Sequence, residues 1–136
     1  MPAKTIAWIE AETEDLAPVV EPLRRAGFAI EPFANYAEAR ARMEELVRCD
    51  LLLLELLLPP GSARHDEDEL LGRRLLQYIR HERKLRVPAI VLSVAAHTEK
   101  FDEAEAEAWQ ISLLAKPVRP SRLKAEVYRL LKLEEP

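Results

Sequence analysis

The chain has 136 residues, 49% of them hydrophobic and 32% charged, and a formal net charge of −4. These proportions support a packed core and exclude a long disordered segment. No apolar run nears the roughly 20 residues that cross a bilayer, the acidic start MPAKTIAWIEAE lacks a secretory leader's apolar stretch, and the charge balance disfavours nucleic acid, so a single cytoplasmic domain over residues 1–136 is expected, with no membrane or nucleic-acid partner.

Thr5-Ile6-Ala7-Trp8-Ile9 is a short apolar run closed by charge, the pattern of a buried strand. Leu16, Val19, Val20 and Leu23 then recur at helical spacing, and Gly27 ends that helix. Pro18 and Pro22 suit only a first turn, so this helix is expected to start late or to bend. Residues 28–33 read as a second strand, and Pro32 places it at a sheet edge, where a missing donor costs little. Asn35 and Glu38 have capping-box spacing, and Tyr36, Ala39, Met43, Leu46 and Val47 line one face of the helix that follows.

Cys49, the single cysteine, reads as a small buried hydrophobe beside Leu51-Leu52-Leu53-Leu54, a run suited to a strand covered on both faces. Residues 59–69 are loop-like: Pro59-Pro60-Gly61 leads to His65, Asp66, Glu67, Asp68 and Glu69. Those acids are hard-cation donors without the EF-hand spacing or its glycine, so a solvated loop is expected. Leu71, Leu75, Leu76 and Ile79 mark a third helix, with Arg73, Arg74, Arg80, Arg83 and Lys84 on its exposed side. Pro88 opens a strand over Ala89-Ile90-Val91-Leu92, and a fourth helix runs from Glu99 to about Ala108 with Phe101 and Ala104 inward. Ile111 to Ala115 is a fifth strand, and Leu123, Val127, Leu130 and Leu131 define a last helix after Pro120. His65, His81 and His97 show no metal-ligand spacing and read as surface residues.

Strands alternating with helices predict a parallel sheet covered on both faces. Functional residues of such a sheet sit at the carboxyl ends of its strands. The first strand ends in Glu10-Ala11-Glu12, the third in Glu55, the fourth in Ser93 and the fifth in Lys116-Pro117. Carboxylates, a hydroxyl and a lysine brought together can bind a hard cation or stabilise a phosphoryl group.

In these motifs, over nearly its whole length, the chain resembles the receiver domain of two-component response regulators (CheY-like). The matching segments are Cys49 to Pro59, Gly72 to Arg80, Val87 to Ser93, and Lys116-Pro117, a peptide bond usually cis in that family. The resemblance implies a doubly wound, flavodoxin-like (βα)5 fold with strand order 2-1-3-4-5. It implies that Glu55 stands at the phosphoacceptor position, that Glu10 and Glu12 form the acidic pocket, and that Ser93 and Lys116 are the switch hydroxyl and the phosphate-contacting lysine. It also implies a signalling role without enzymatic activity, and a histidine kinase or an output protein as partner.

The departures from the family pattern are specific. Receivers carry aspartate where this chain has Glu55, and an acidic pair where it has Glu10-Ala11. Leu113 stands at the aromatic switch position, a glycine before the fifth strand is missing, and the loop carrying residues 65–69 is long. Glutamate moves the carboxylate by one methylene, and a misplacement of about 1 Å can cost about 100-fold in rate. The expectation is an atypical, stand-alone receiver acting through protein contacts, not phosphorylated and without a cofactor. The alternative is a phosphorylatable receiver that uses Mg2+ held by Glu10, Glu12 and Glu55. Glu55 has two open readings: partial mimicry of a phosphoryl group, or a plain salt bridge to Lys116. Ser93 has two as well, a switch hydroxyl or a residue bonded to nearby backbone.

Glu99, Asp102, Glu103, Glu105 and Glu107 on the fourth helix oppose Arg122, Lys124, Arg129 and Lys132 on the fifth, which suits either a homodimer through these helices or simple solvation with intrachain pairs. A flavodoxin-type cofactor binder is least favoured. Glu10, Glu12, Glu14 and Asp15 would repel a phosphate, and three glycines leave little room for a phosphate-cradling loop.

Overall fold

The computed structural model describes residues 3–62, 70–94 and 103–135. Strands β1 (Thr5–Ile9), β2 (Ala29–Phe33), β3 (Leu51–Leu54), β4 (Ala89–Ser93) and β5 (Ile111–Ala115) form one parallel sheet in the order β2-β1-β3-β4-β5. Successive side chains of a strand face opposite sides, and the central strands therefore split their apolar residues between two cores. Ile6, Trp8, Leu51, Leu53, Ile90 and Leu92 pack under α1 (Thr13–Arg25) and α6 (Pro120–Leu131). Ala7, Ile9, Leu52, Leu54, Ala89 and Val91 pack under α2 (Tyr36–Ala41), α3 (Met43–Val47), α4 (Leu71–Gln77), a π-helical turn (Tyr78–Glu82) and α5 (Glu103–Ala108). The edge strand β2 carries Pro32, and the four leucines of β3 are all buried, as expected of an edge and a central strand.

Asn35 caps α2 as its spacing predicts: its Oδ1 accepts the Glu38 N–H at 2.8 Å, and the Glu38 carboxylate accepts the Ala34 N–H at 2.8 Å. Cys49 is buried, and burial pushes its thiol up to about 11, so it packs as a hydrophobe. The Lys116–Pro117 bond is cis. Gln110, directly before β5, takes the left-handed conformation with φ 56°. The chain therefore keeps the turn that a glycine would make easier.

Several expectations fail locally. Helix α1 does not start late: it begins at Thr13, and both Pro18 and Pro22 lie inside it. An interior proline costs about 3 kcal/mol; the burial of Val20 and Leu23 against the sheet and α6 holds the helix together. The expected helix over residues 36–47 is two short helices broken at Arg42, which has φ −109° and ψ 31°. Its guanidinium turns back to donate to the Pro32 carbonyl at 3.0 Å and pairs with Glu38 and Glu45. Arg80, expected on an exposed face, is 4% exposed. It donates to the carbonyls of Trp109 at 2.8 Å, Leu85 at 2.9 Å and Val87 at 2.6 Å. Desolvation lowers its pKa to about 10, and the guanidinium fork is satisfied by backbone oxygens alone, which tie the π-helical turn to the chain before β4 and β5. On α5, Ala104 is exposed and Ala106 faces inward, in phase with the buried Trp109 three residues on. Phe101, Glu99, Asp102, His97 and residues 65–69 lie outside the described residues.

Much of the basic charge on α6 is spent within the helix. Glu126, buried in mid-helix, accepts the Ser112 hydroxyl and pairs with Arg129 at 2.5 Å and, more loosely, with Arg122 at 3.8 Å. The hydrogen bond from Arg129 holds the Glu126 carboxyl down to about 2; burial opposes this, and Ser112 adds to it. A depressed carboxyl contributes stability above its unfolded value of 4.5, and that contribution is lost as pH falls through about 2. Glu126→Gln is therefore expected to flatten the fall in urea midpoint between pH 5 and pH 2 relative to the parent protein. Parallel curves for the two proteins would contradict this assignment.

Candidate functional site

The parallel ladder runs one residue past each strand end and fixes the backbone of the site. The Glu10 N–H donates to the Phe33 carbonyl at 3.0 Å, the Glu55 N–H to Ile9 at 3.0 Å and the Lys116 N–H to Ser93 at 3.1 Å. All three residues therefore emerge at the carboxyl edge of the sheet, Glu10 and Glu55 on adjacent strands and Lys116 beyond the intervening β4. Glu10 is 5% exposed and Glu55 6%. Lys116 Nζ lies between them, donating to Glu10 Oε1 at 2.8 Å and to Glu55 Oε1 at 2.9 Å. The second oxygen of each carboxylate takes a backbone donor, the Glu12 N–H on Glu10 at 3.2 Å and the Leu57 N–H on Glu55 at 3.0 Å.

The electrostatics favour this closed arrangement. Burial alone would lower the Lys116 pKa, but its hydrogen bonds and charge attraction with Glu10 and Glu55 outweigh that and raise it. The ammonium is therefore charged throughout the physiological range. Lysine, with its rotatable donors, suits two acceptors from different strands.

Not every sequence candidate joins the clamp. Glu10, Glu55 and Lys116 do. Ser93 is fully buried at the end of β4 and meets Lys116 through its backbone carbonyl. Glu12 is exposed at the N-terminus of α1 and contributes its backbone N–H, not its carboxylate, so it does not replace the acid missing at Ala11. Leu113, which the resemblance puts at the switch position, is half-buried on β5.

The donor set as arranged does not fit magnesium. That ion takes about six oxygens in a near-octahedral shell, whereas the four oxygens of Glu10 and Glu55 already hold Lys116 and two backbone N–H groups. Among the described residues, no group of three or more His, Cys, Asp or Glu side chains is placed to hold a metal ion.

Two features of the site escaped the sequence reading. One is the second acceptor of Lys116, Glu10. The other is the packing of Gly72. Its N–H donates to the Leu56 carbonyl at 3.0 Å, and a Cβ added at this glycine would stand 2.1 Å from the Glu55 carbonyl oxygen. Helix α4 can approach the Glu55 strand end this closely only because position 72 has no side chain. A glycine inside a helical pattern was the available signal.

Solved structures with the same architecture share little sequence with this chain. A receiver domain protein (CheY-like) from Methanospirillum hungatei JF-1 is 22% identical, with 96% of this chain and 94% of that one covered and a TM-score of 0.74. The fold is that of a response-regulator receiver domain. A two-component response regulator from Clostridium difficile (21% identity, 95% and 96% covered, TM-score 0.73) and the chemotaxis response regulator CheY4 of Vibrio cholerae (20%, 94% and 98%, 0.71) superpose equally well on this receiver fold. No protein-family model and no curated sequence matches the chain. Among the described residues, no helix is long and apolar enough to cross a membrane.

Gly72→Ala tests whether the close approach governs the site. At an ordinary helix position alanine is better than glycine by about 1 kcal/mol. Here overpacking is expected to destabilise the protein by about 1–3 kcal/mol in urea unfolding. A gain in stability would show that α4 does not press on the Glu55 strand end.

Proposed function

We propose that the chain is an atypical receiver module in signal transduction that works by protein contact and not by phosphorylation. The observation that carries this reading is the closed clamp: Lys116 Nζ bound to both Glu10 and Glu55 in a buried site. In a phosphorylated receiver the lysine must be available to the incoming phosphoryl group, and charge compensation must come from a metal. Here the lysine is committed to two carboxylates of its own chain. Glu55 occupies the phosphoacceptor position and fills, with a fixed carboxylate, the place beside the lysine that a phosphoryl oxygen would take.

Of the two readings of Glu55, the geometry favours a constitutive ion pair. One carboxylate supplies less charge and fewer oxygens than a phosphoryl group, and half of it is used on the Leu57 N–H. The module therefore holds one state. Its partner, a histidine kinase or an output protein, reads a fixed surface. On this reading the chain is not an enzyme, needs no cofactor, spans residues 1–136 as one domain and acts in the cytoplasm. The homodimer face stands on weaker support, because Arg129 and Arg122 pair with Glu126 inside α6, and Arg73 pairs with Glu105 of α5 at 2.5 Å.

Incubation with acetyl phosphate and magnesium, followed by intact-mass measurement, tests the reading. The expected result is an unchanged mass. Trp8, buried two residues before Glu10, gives a parallel signal, and its fluorescence should not respond to beryllofluoride. A phosphoryl adduct that disappears in Glu55→Gln or Glu12→Gln would overturn the reading in favour of a working magnesium-dependent phosphoacceptor.

A further inference from the structure

At the opposite end of the sheet from Glu55, a groove runs between the C-terminal half of α1 and α6. Two adjoining surface cavities, of about 200 and 310 Å3, share Ala26 and Tyr128 in their linings. Its floor is apolar and pre-organised. Phe28 and Tyr128 stack edge to face at 5.5 Å, both nearly buried, and Leu133, exposed to 38%, stands at the mouth with Pro22 on the far wall.

The rim is basic in an otherwise acidic chain. Lys4, Arg25 and Lys124 line the groove. Arg25 and Lys124 form no ion pair with any described residue; Lys124 lies 5.8 Å from the centre of the Tyr128 ring. Lys4 has only Asp50, at 4.0 Å. Of the neighbouring acids, Glu21 is taken by Arg24 at 2.8 Å, and Glu134 and Glu135, next to Leu133, are exposed without ion pairs among the described residues. Elsewhere on the surface, basic side chains such as Arg42, Arg73, Arg83 and Arg129 are matched to carboxylates. In the groove, Arg25 and Lys124 remain without a carboxylate partner among the described residues, beside apolar surface.

We infer that the α1/α6 groove is a docking site for an acidic peptide segment of a partner protein, carrying an aliphatic or aromatic anchor. The anchor would rest against Phe28, Tyr128 and Leu133, and flanking carboxylates would face Arg25, Lys124 and Lys4. Apolar contact would supply affinity, and the charged rim would set orientation and association rate. This surface is independent of the Glu55 clamp, since none of its residues belongs to that site.

The test uses a fluorescein-labelled glutamate-rich peptide with two leucines and one phenylalanine, and a control in which lysine replaces each glutamate. Anisotropy measures binding, and amide chemical shifts map it. The acidic peptide is expected to bind and to shift amides of Gly27, Phe28, Tyr128 and Leu133, the lysine control is expected not to bind, and Arg25→Glu with Lys124→Glu is expected to weaken binding at least ten-fold while the melting temperature stays near that of the parent. Absence of binding, equal binding of the lysine control, or shifts confined to another face would overturn the inference. Binding to phosphatidylserine vesicles without binding to the peptide would overturn it too, and would assign the groove to an anionic lipid surface. Loss of folding in the double charge reversal would shift the decision to Arg25→Gln, at an exposed position, which should still weaken binding by about two- to five-fold.

Discussion

Two carboxylates buried at the ends of neighbouring strands set the constraint on which the rest of the site depends. A buried charge is tolerated only when it is paired and hydrogen-bonded. Glu10 and Glu55 lie on adjacent strands whose register places Ile9 opposite Leu54, so the two acids cannot separate without breaking the sheet. Lys116, carried in from β5 across the intervening β4, compensates both. One ammonium leaves one negative charge over, and the N–H groups of Glu12 and Leu57 answer it. Removing Lys116 leaves two buried carboxylates without a counter-charge, whereas removing one acid leaves the lysine paired with the other.

The surrounding elements serve that clamp. The apolar strands fix where each side chain emerges, and the two cores keep the sheet rigid on both faces. Gly72 lets α4 close onto the β3 end, so the Glu55 backbone is held from the sheet by Ile9 and from the helix side by close packing. Arg80 plays a comparable part farther away, joining three carbonyls from two segments, those before β4 and before β5. In the proposed reading, receiver architecture is retained while its chemistry is replaced by an internal ion pair. Such a domain offers partners a constant shape, and regulation must then come from the partner.

Much of the fold is legible in the residues because the signals are redundant. Each strand is a short apolar run bounded by charge, glycine or proline, and the helices between them carry apolar spacing of their own. Pro32 marks the edge, and Leu51 to Leu54 mark the centre. The strand order itself rests on resemblance, since pattern alone leaves several right-handed topologies. Where local rules mislead, tertiary packing is the reason. Pro18 and Pro22 sit inside α1 because Val20 and Leu23 anchor it. Arg80 is buried because backbone oxygens from distant segments converge on it, which no helical wheel records. At the site, strand-end position predicts Glu10, Glu55, Ser93 and Lys116. It does not predict that Glu10 shares the lysine, because that depends on side-chain reach across three strands. Glu12 is misleading for a simple reason: one residue further on, the chain has already turned into α1.

The most direct test of the clamp is a double-mutant cycle. Glu55→Gln, Lys116→Met and the double variant would be unfolded in urea at pH 7. Coupled buried charges should give an interaction energy of about 1–3 kcal/mol, largely insensitive to added salt. Additivity within about 0.5 kcal/mol would mean that Glu55 and Lys116 do not depend on each other, and would contradict the account of a site locked by its own lysine.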